Sequence, residues 1–306
     1  MTVLDSLFPT PVTQTVRHLA LGFFDGLHLG HRRVILGGET PHAPDHTAVL
    51  TFRDHPLSVL HPEKHPALIT GLPHKLRILG RWQIAAVVAL PFDTTRARQE
   101  PSDFLRELAE TFPSLHTVSV GPNWRFGKNR SGDVTMLGGW CQERNVRLDN
   151  PAPVLFAGER ISSSRLRASI TAGQLGDSAE MLGRPYTLYG TVGTGAGRGE
   201  SLGFATANLH TEDECFPPDG VYAGHAQRAD GKIFSAAINL GAQPTFHAKK
   251  RQIEAHLIGF KGNLVGQEMD LSFEKFLRPV LKFESPDALA EQIKKDISAC
   301  IQTTEL

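Results

Sequence analysis

In the stretch LALGFFDGLHLGHRRV, residues 19–34, two histidines stand three positions apart, His28 and His31, after an apolar run that reaches Gly22. Residues 19–23 read as a buried strand and residues 31–36 as the opening of a helix, so the pair falls on a strand-to-helix turn. Open α/β sheets bind ligands at such turns, where helix amides face an anion. A single histidine in a loop reads as a helix cap. Two imidazoles between glycines, directly after a strand, read as functional.

Two further stretches carry the same chemistry. GPNWRFGKNRSGD, residues 121–133, follows another apolar run and places Asn123 in a polar, basic loop. RISSSRLRASI, residues 160–170, puts three serines at a helix start, with Arg165 and Arg167 behind them. Hydroxyls, unsatisfied helix amides and guanidinium forks are what a triphosphate needs. Taken alone, the serines read as ordinary N-capping. In the second half, GTVGTGAGRGESLGFATANLH, residues 190–210, alternates Gly193, Gly195, Gly197 and Gly199 after a strand-like run. Such a loop can cradle phosphates or form a flexible hairpin, and the lack of GKS or GKT excludes a Walker loop.

These stretches need a scaffold, and the pattern supplies two. Up to residue 183, apolar runs alternate with helical patterns: HTAVLTF, LPHKLRILGRWQ, IAAVVALPF, PSDFLRELAETF, LHTVSVG and VTMLGGWCQERN. That alternation predicts right-handed crossovers and a parallel, doubly wound α/β sheet. From residue 184 the runs YTLYGTV, GVYAGHAQ, IFSAAINLG, IEAHLIGF and EMDLSFEKFL are short, β-rich and broken by turn residues, which predicts an antiparallel β-barrel or sandwich. A last helix is expected after Ser285 as N-cap and Pro286 at the first position, its Leu289, Ile293 and Ile297 stripe facing the core. The domains are therefore expected at 1–183 and 184–306.

Composition excludes several classes. The 306 residues hold 32 Lys plus Arg and 32 Asp plus Glu, so no basic excess points to nucleic acid. Cys141, Cys215 and Cys300 lie far apart with no CxxC pair, which fits a reducing cytoplasm better than a disulfide scaffold or zinc site. No signal peptide and no membrane-length apolar run are read, so a soluble, cytoplasmic protein is expected. Six histidines crowd residues 42–74 (His42, His46, His55, His61, His65, His74), irregularly spaced and without framing carboxylates, and read as a solvated loop rather than a metal site.

Taken together, GFFDGLHLGH, Asn123 in its loop and the serine-arginine helix start resemble the HxGH nucleotidyltransferase superfamily. The strings GFFDGLHLGH, FGKNRSGD and ISSSRLR, with TFRDHP, narrow the resemblance to the bifunctional prokaryotic riboflavin kinase/FMN adenylyltransferase family, the FAD synthetases. It extends over residues 19–295. The resemblance implies that FMN phosphate attacks the α-phosphorus of ATP, giving FAD and pyrophosphate. His28 and His31 would meet the ATP phosphates; Ser163, Ser164 and Arg167 would hold the pyrophosphate; Asn123 would face the flavin or the triphosphate; Gly22, Phe24 and Asp25 would shape the pocket.

In the second half, LGFATANL resembles the LGFPTAN motif of riboflavin kinases, whose Thr and Asn help bind the metal of Mg-ATP, here Thr206 and Asn208. GVYAG, INLGAQPTF, IEAHL and LKF follow in the family's order. Glu254 occupies the position of the catalytic base that takes the proton of the ribityl 5′-hydroxyl; without the motif it reads as an ordinary strand carboxylate. This chain departs from the pattern at Asp54, at Ser164 for Thr, at Ala205 for the proline of FPTAN, at Glu200 for a common arginine, and at Gly259 and Val265. Losing the proline loosens the loop carrying Thr206, and Glu200 would repel a phosphate it faced. The expected function is FMN synthesis from riboflavin and FAD synthesis from FMN, using Mg2+ and ATP. Two other readings are adenylyl transfer alone, with a barrel that only holds flavin, and a flavin-binding regulatory protein with both sites vestigial, against which the retained His28, His31, Ser163, Ser164 and Arg167 speak. The expected partners are small molecules, without nucleic acid or membrane, with at most weak homo-oligomerisation.

Overall fold

A computed structural model describes residues 1–37, 41–194, 206–242 and 251–304. They divide into two compact units, one of Met1–Leu68 with Lys75–Ser163, the other of Ile69–His74 with Ser164–Leu306.

The first unit is built on a six-stranded parallel sheet, in the spatial order Thr2–Leu4, Ala86–Leu90, Thr47–Phe52, His18–Leu21, Thr117–Val120, Arg147–Asp149. Its inner strands His18–Leu21, Ala86–Leu90 and Thr117–Val120 are buried at every position, and Ala86–Leu90 accordingly reads as a continuous apolar run. From His18–Leu21 the chain first builds outward on one side, to Thr47–Phe52 and Ala86–Leu90, then returns to the other side with Thr117–Val120. The strand order therefore reverses beside His18–Leu21, and the crevice at its carboxyl end is where this architecture binds ligands. Helix Leu29–Leu36 starts there, and Pro101–Thr111 opens with Pro101 in its first turn, as its sequence predicts.

His18 belongs to the core of this sheet. Its Nδ1 meets Thr47 Oγ1 at 3.2 Å and its Nε2 meets Ser119 Oγ at 2.7 Å, while its ring stacks on His42 at 3.6 Å. His42 in turn reaches Asp149 Oδ2 at 3.2 Å. Burial, with His42 and Arg147 adding repulsion, pushes the His18 pKa from 6.5 down to about 3. Between those values the unfolded chain binds a proton that the folded one refuses, so the first unit loses stability as pH falls, by up to ~1.4 kcal/mol per pH unit for this group. Urea unfolding at pH 7 and pH 5 should show this loss, and His18→Asn should flatten the dependence; an unchanged slope would clear His18 of the effect.

The second unit contains a closed antiparallel barrel, in the order Tyr186–Gly193, Thr206–Thr211, Arg251–Leu257, Ile233–Ala242, Gly220–Arg228, Glu268–Arg278. Strand Thr206–Thr211 is one the apolar pattern does not announce. Helix Pro286–Thr304 packs on the barrel: Ser285 Oγ accepts from the Ala288 amide at 3.2 Å, and buried Asp296 takes a forked contact from Arg278. Leu289, Ile293 and Ile297 are partly buried, and Cys300 completes the stripe at full burial.

The solvated-loop expectation for residues 42–74 fails at two histidines. His42 is in the stack just described. His74 is buried, with Nδ1 at 2.7 Å from Asp213 Oδ2 and Nε2 at 3.2 Å from Thr187 Oγ1. Asp213 also accepts from the Gly71 and Tyr189 amides at 2.7 and 3.0 Å, so this carboxylate gathers the 69–74 segment into the second unit. The reason is long-range pairing, which residue spacing cannot express. Among the described residues no three or more His, Cys, Asp or Glu side chains gather as a metal-ion site.

Candidate active sites

In the first unit a pocket opens at the reversal of strand order. Leu21, Gly22, Phe23 and Phe24 enter it from the end of one central strand, and Gly121, Pro122, Asn123 and Trp124 from the end of its neighbour. His28, Gly30 and His31 line it from the turn and first helix, and 151–154 with 160–163 complete the wall. The turn is tightly wound. A Cβ on Gly22 would meet the Phe24 ring at 2.8 Å, so any larger residue there would push that ring aside. Phe24 and Leu27 both sit at positive φ, 55° and 43°, which costs free energy that the surroundings must offset. The Phe23 carbonyl accepts from Lys75 Nζ at 2.7 Å and from Thr51 Oγ1 at 2.9 Å, and the Asp25 carbonyl from Ser163 Oγ at 2.9 Å.

His28 is the N-cap of helix Leu29–Leu36: its Nδ1 accepts from the His31 amide at 3.2 Å, which leaves the ring proton on Nε2. The two imidazoles stack at 3.6 Å with 18° between planes, and Phe24 meets His31 edge-on at 5.3 Å. Burial, then His28 and Lys75, holds the His31 pKa well below its usual value, so this ring is neutral near pH 7. Its Nδ1 is buried with no hydrogen-bond partner among the described residues. The arrangement offers neutral N–H donors at a helix start rather than a nucleophile.

Of the site residues expected from sequence, Gly22, Phe24, His28, His31, Asn123 and Ser163 line this pocket. Asp25 is buried, its carbonyl held by Ser163. Ser164, exposed, and Arg167, partly buried, lie on helix Ser163–Thr171, belong by their contacts to the second unit, and are not among the lining residues. The sequence pattern does not single out Trp124, which lines the pocket and stacks on Phe126 at 4.5 Å. Its position one residue after Asn123, in a loop that follows a strand, was the available signal.

The second unit places three expected residues on one side of the barrel wall. Asn208 pairs in register with Glu254, and Glu254 with Asn239 on its other side. Thr206 lies two positions from Asn208, so its side chain shares that face. Ala207, Ile253 and Ala255 between them are buried in the barrel. Glu254 is half-buried, not an exposed strand carboxylate, and accepts from Gln252 Nε2 at 2.5 Å. Gly195, Gly197, Gly199, Glu200 and Ala205 lie outside the described residues. Gly259 adopts φ 78° in the turn after Arg251–Leu257, a local reason for glycine, and Val265 is half-exposed.

A family model described as FAD synthetase matches residues 11–165, and one described as riboflavin kinase matches residues 182–304. A bifunctional riboflavin kinase/FMN adenylyltransferase of Haemophilus influenzae is 30% identical over 281 residues, covering 91% of each chain. That of Listeria monocytogenes is 33% identical over 284 residues, covering 91% of this chain and 89% of its own. This chain belongs to the bifunctional riboflavin kinase/FMN adenylyltransferase family. As a family member it phosphorylates riboflavin to FMN and adenylylates FMN to FAD, with ATP as the second substrate and pyrophosphate leaving in the second reaction. The reading in which the barrel only holds flavin is not favoured, since both family models match. A crystal structure described as a macrolide-efflux protein from Streptococcus pneumoniae superposes with a TM-score of 0.80 over 98% of this chain and 99% of its own; at 23% identity it bears on the fold alone. Among the described residues no helix is long and apolar enough to cross a membrane.

Proposed function

We propose that adenylyl transfer takes place in the pocket of the first unit and riboflavin phosphorylation on the Asn208–Glu254 face of the barrel. The observation that carries the first assignment is the stacked His28–His31 pair at a helix start, facing a cleft also lined by Asn123 and Ser163. An FMN phosphate oxygen attacks the α-phosphorus of ATP while the bond to the β-phosphate oxygen breaks. Negative charge grows on the phosphoryl oxygens, and preoriented N–H donors stabilise it without needing to lose or gain a proton. Asn123 contacts the flavin or the triphosphate, Trp124 offers its ring to the isoalloxazine, and Ser163 holds the departing pyrophosphate.

On the barrel, the ribityl 5′-hydroxyl attacks the γ-phosphorus, its proton passes to Glu254, and ADP leaves. The Thr206 hydroxyl and the Asn208 carbonyl are hard oxygen donors, and a site with only these two suits Mg2+, which keeps most of its shell from water and phosphates. Bound there, the cation would neutralise phosphate charge. The Gly195, Gly197 and Gly199 loop is proposed to meet the phosphates.

We further place the domains at 1–183 and 184–306, the site of action in the cytoplasm, and any self-association at a weak level. The buried thiols of Cys141, Cys215 and Cys300 support the compartment. The test is incubation of the purified chain with riboflavin, ATP and magnesium, followed by chromatography of the flavins. FMN and then FAD are expected, and the 184–306 fragment should make FMN alone. FAD formation by that fragment, or its aggregation, would overturn the placement.

A further inference from the structure

We propose that Lys75 is a positioning residue for adenylyl transfer: by holding the Phe23 carbonyl it sets the turn that presents His28 and His31. The proposal rests on the assignment of those two histidines to the ATP phosphates.

Lys75 is 1% exposed and does not line the pocket, so it acts through other groups. A lysine so deeply buried is uncommon, because its ammonium must find replacements for water. Lys75 finds them at the base of the turn. Its Nζ donates to the Phe23 carbonyl at 2.7 Å and to Thr51 Oγ1 at 3.3 Å, and lies 4.1 Å from the centroid of the Phe23 ring. Thr51 Oγ1 donates to the same carbonyl at 2.9 Å. Burial pushes the Lys75 pKa down to about 8, with Asp25 opposing the shift.

The carbonyl that receives these two donors immediately precedes Phe24, the residue at φ 55°. A positive φ at an aromatic residue persists only where its neighbours over-determine it, and rotation of the 23–24 peptide is the relaxation that Lys75 and Thr51 oppose. Phe24 in turn sets the wall of His31, its ring edge-on to the imidazole at 5.3 Å. The path from ammonium to carbonyl to strained backbone to aromatic ring therefore ends at the catalytic pair. Small displacements of such donors weaken transition-state stabilisation more than ground-state binding.

The test measures FAD formation against FMN and ATP concentrations for the full-length chain carrying Lys75→Met, with Thr51→Val and His31→Ala alongside, the thermal unfolding transition of each sample as the control for folding of the first unit, and riboflavin phosphorylation as the control for the second. Lys75→Met should lower kcat for adenylyl transfer tenfold or more, with KM for either substrate changed less than threefold and phosphorylation unaltered. Thr51→Val, which removes the second donor to the same carbonyl and the longer contact of Lys75 Nζ, should lower kcat about threefold with the same split. If Lys75→Met fails to fold, Thr51→Val decides alone. Impaired His31→Ala together with unchanged kcat in the Lys75 and Thr51 variants would overturn this inference by itself, as would losses confined to KM. Full activity of His31→Ala would instead overturn the histidine assignment, and the role of Lys75 with it.

Discussion

His31→Ala should lower FAD formation from FMN by ~10²–10³-fold, the usual cost of deleting one preorganised donor to a developing oxyanion, while FMN accumulates from riboflavin at the normal rate. The loss should fall on the adenylyl step because His31 lines the first pocket and shares no residue with the barrel face that holds Glu254. His28 requires more care, since it also caps helix Leu29–Leu36 through Nδ1, and an alanine there removes the cap, worth ~1 kcal/mol. His28→Asn keeps a capping oxygen and isolates the loss of the imidazole donor, so it should match His31→Ala in rate without its own drop in stability. The readout is a time course of riboflavin, FMN and FAD by chromatography. Equal loss of both activities in a folded variant, or no loss of FAD formation, would remove the histidines from the mechanism.

Glu254→Gln should reduce FMN formation by ~10²–10⁴-fold, the range contributed by a positioned general base. FAD formation from added FMN should be unchanged. Glutamine is nearly isosteric, keeps an oxygen to accept from Gln252 Nε2, and leaves the register with Asn208 and Asn239 intact. What it cannot do is take up the hydroxyl proton. The decisive measurement is the initial rate of FMN formation at saturating riboflavin and ATP, with the thermal transition as a check on the barrel. A variant that keeps full activity would show that Glu254 is not the base.

Much of the site was readable in advance where the chemistry is local. His28 and His31, three apart between glycines, fall at a strand end and a helix start because a short apolar run and a capping residue specify both within a dozen positions. Trp124 stood in plain view beside Asn123, yet a lone aromatic in a loop does not distinguish pocket lining from packing. Lys75 and Thr51 were not legible at all. They lie 52 and 28 positions from Phe23, and their interest comes only from converging on its carbonyl. His42 and His74 misled for the same reason, since each takes its carboxylate partner from more than 100 positions away.

By itself, the sequence determined the two element patterns, the parallel sheet of the first half and the β-rich second half, because hydrophobic periodicity and turn residues are written within short windows. It determined the family too, through strings long enough to carry chemistry. The tertiary structure alone decided the strand order that reverses beside His18–Leu21, the sixth barrel strand Thr206–Thr211, and the grouping of 69–74 with the second unit. It also decided which polar residues are buried with partners. Those outcomes depend on pairing energies between distant segments, where one carboxylate such as Asp213 selects among many possible donors. Only closing the chain brings the selected donor within 3 Å.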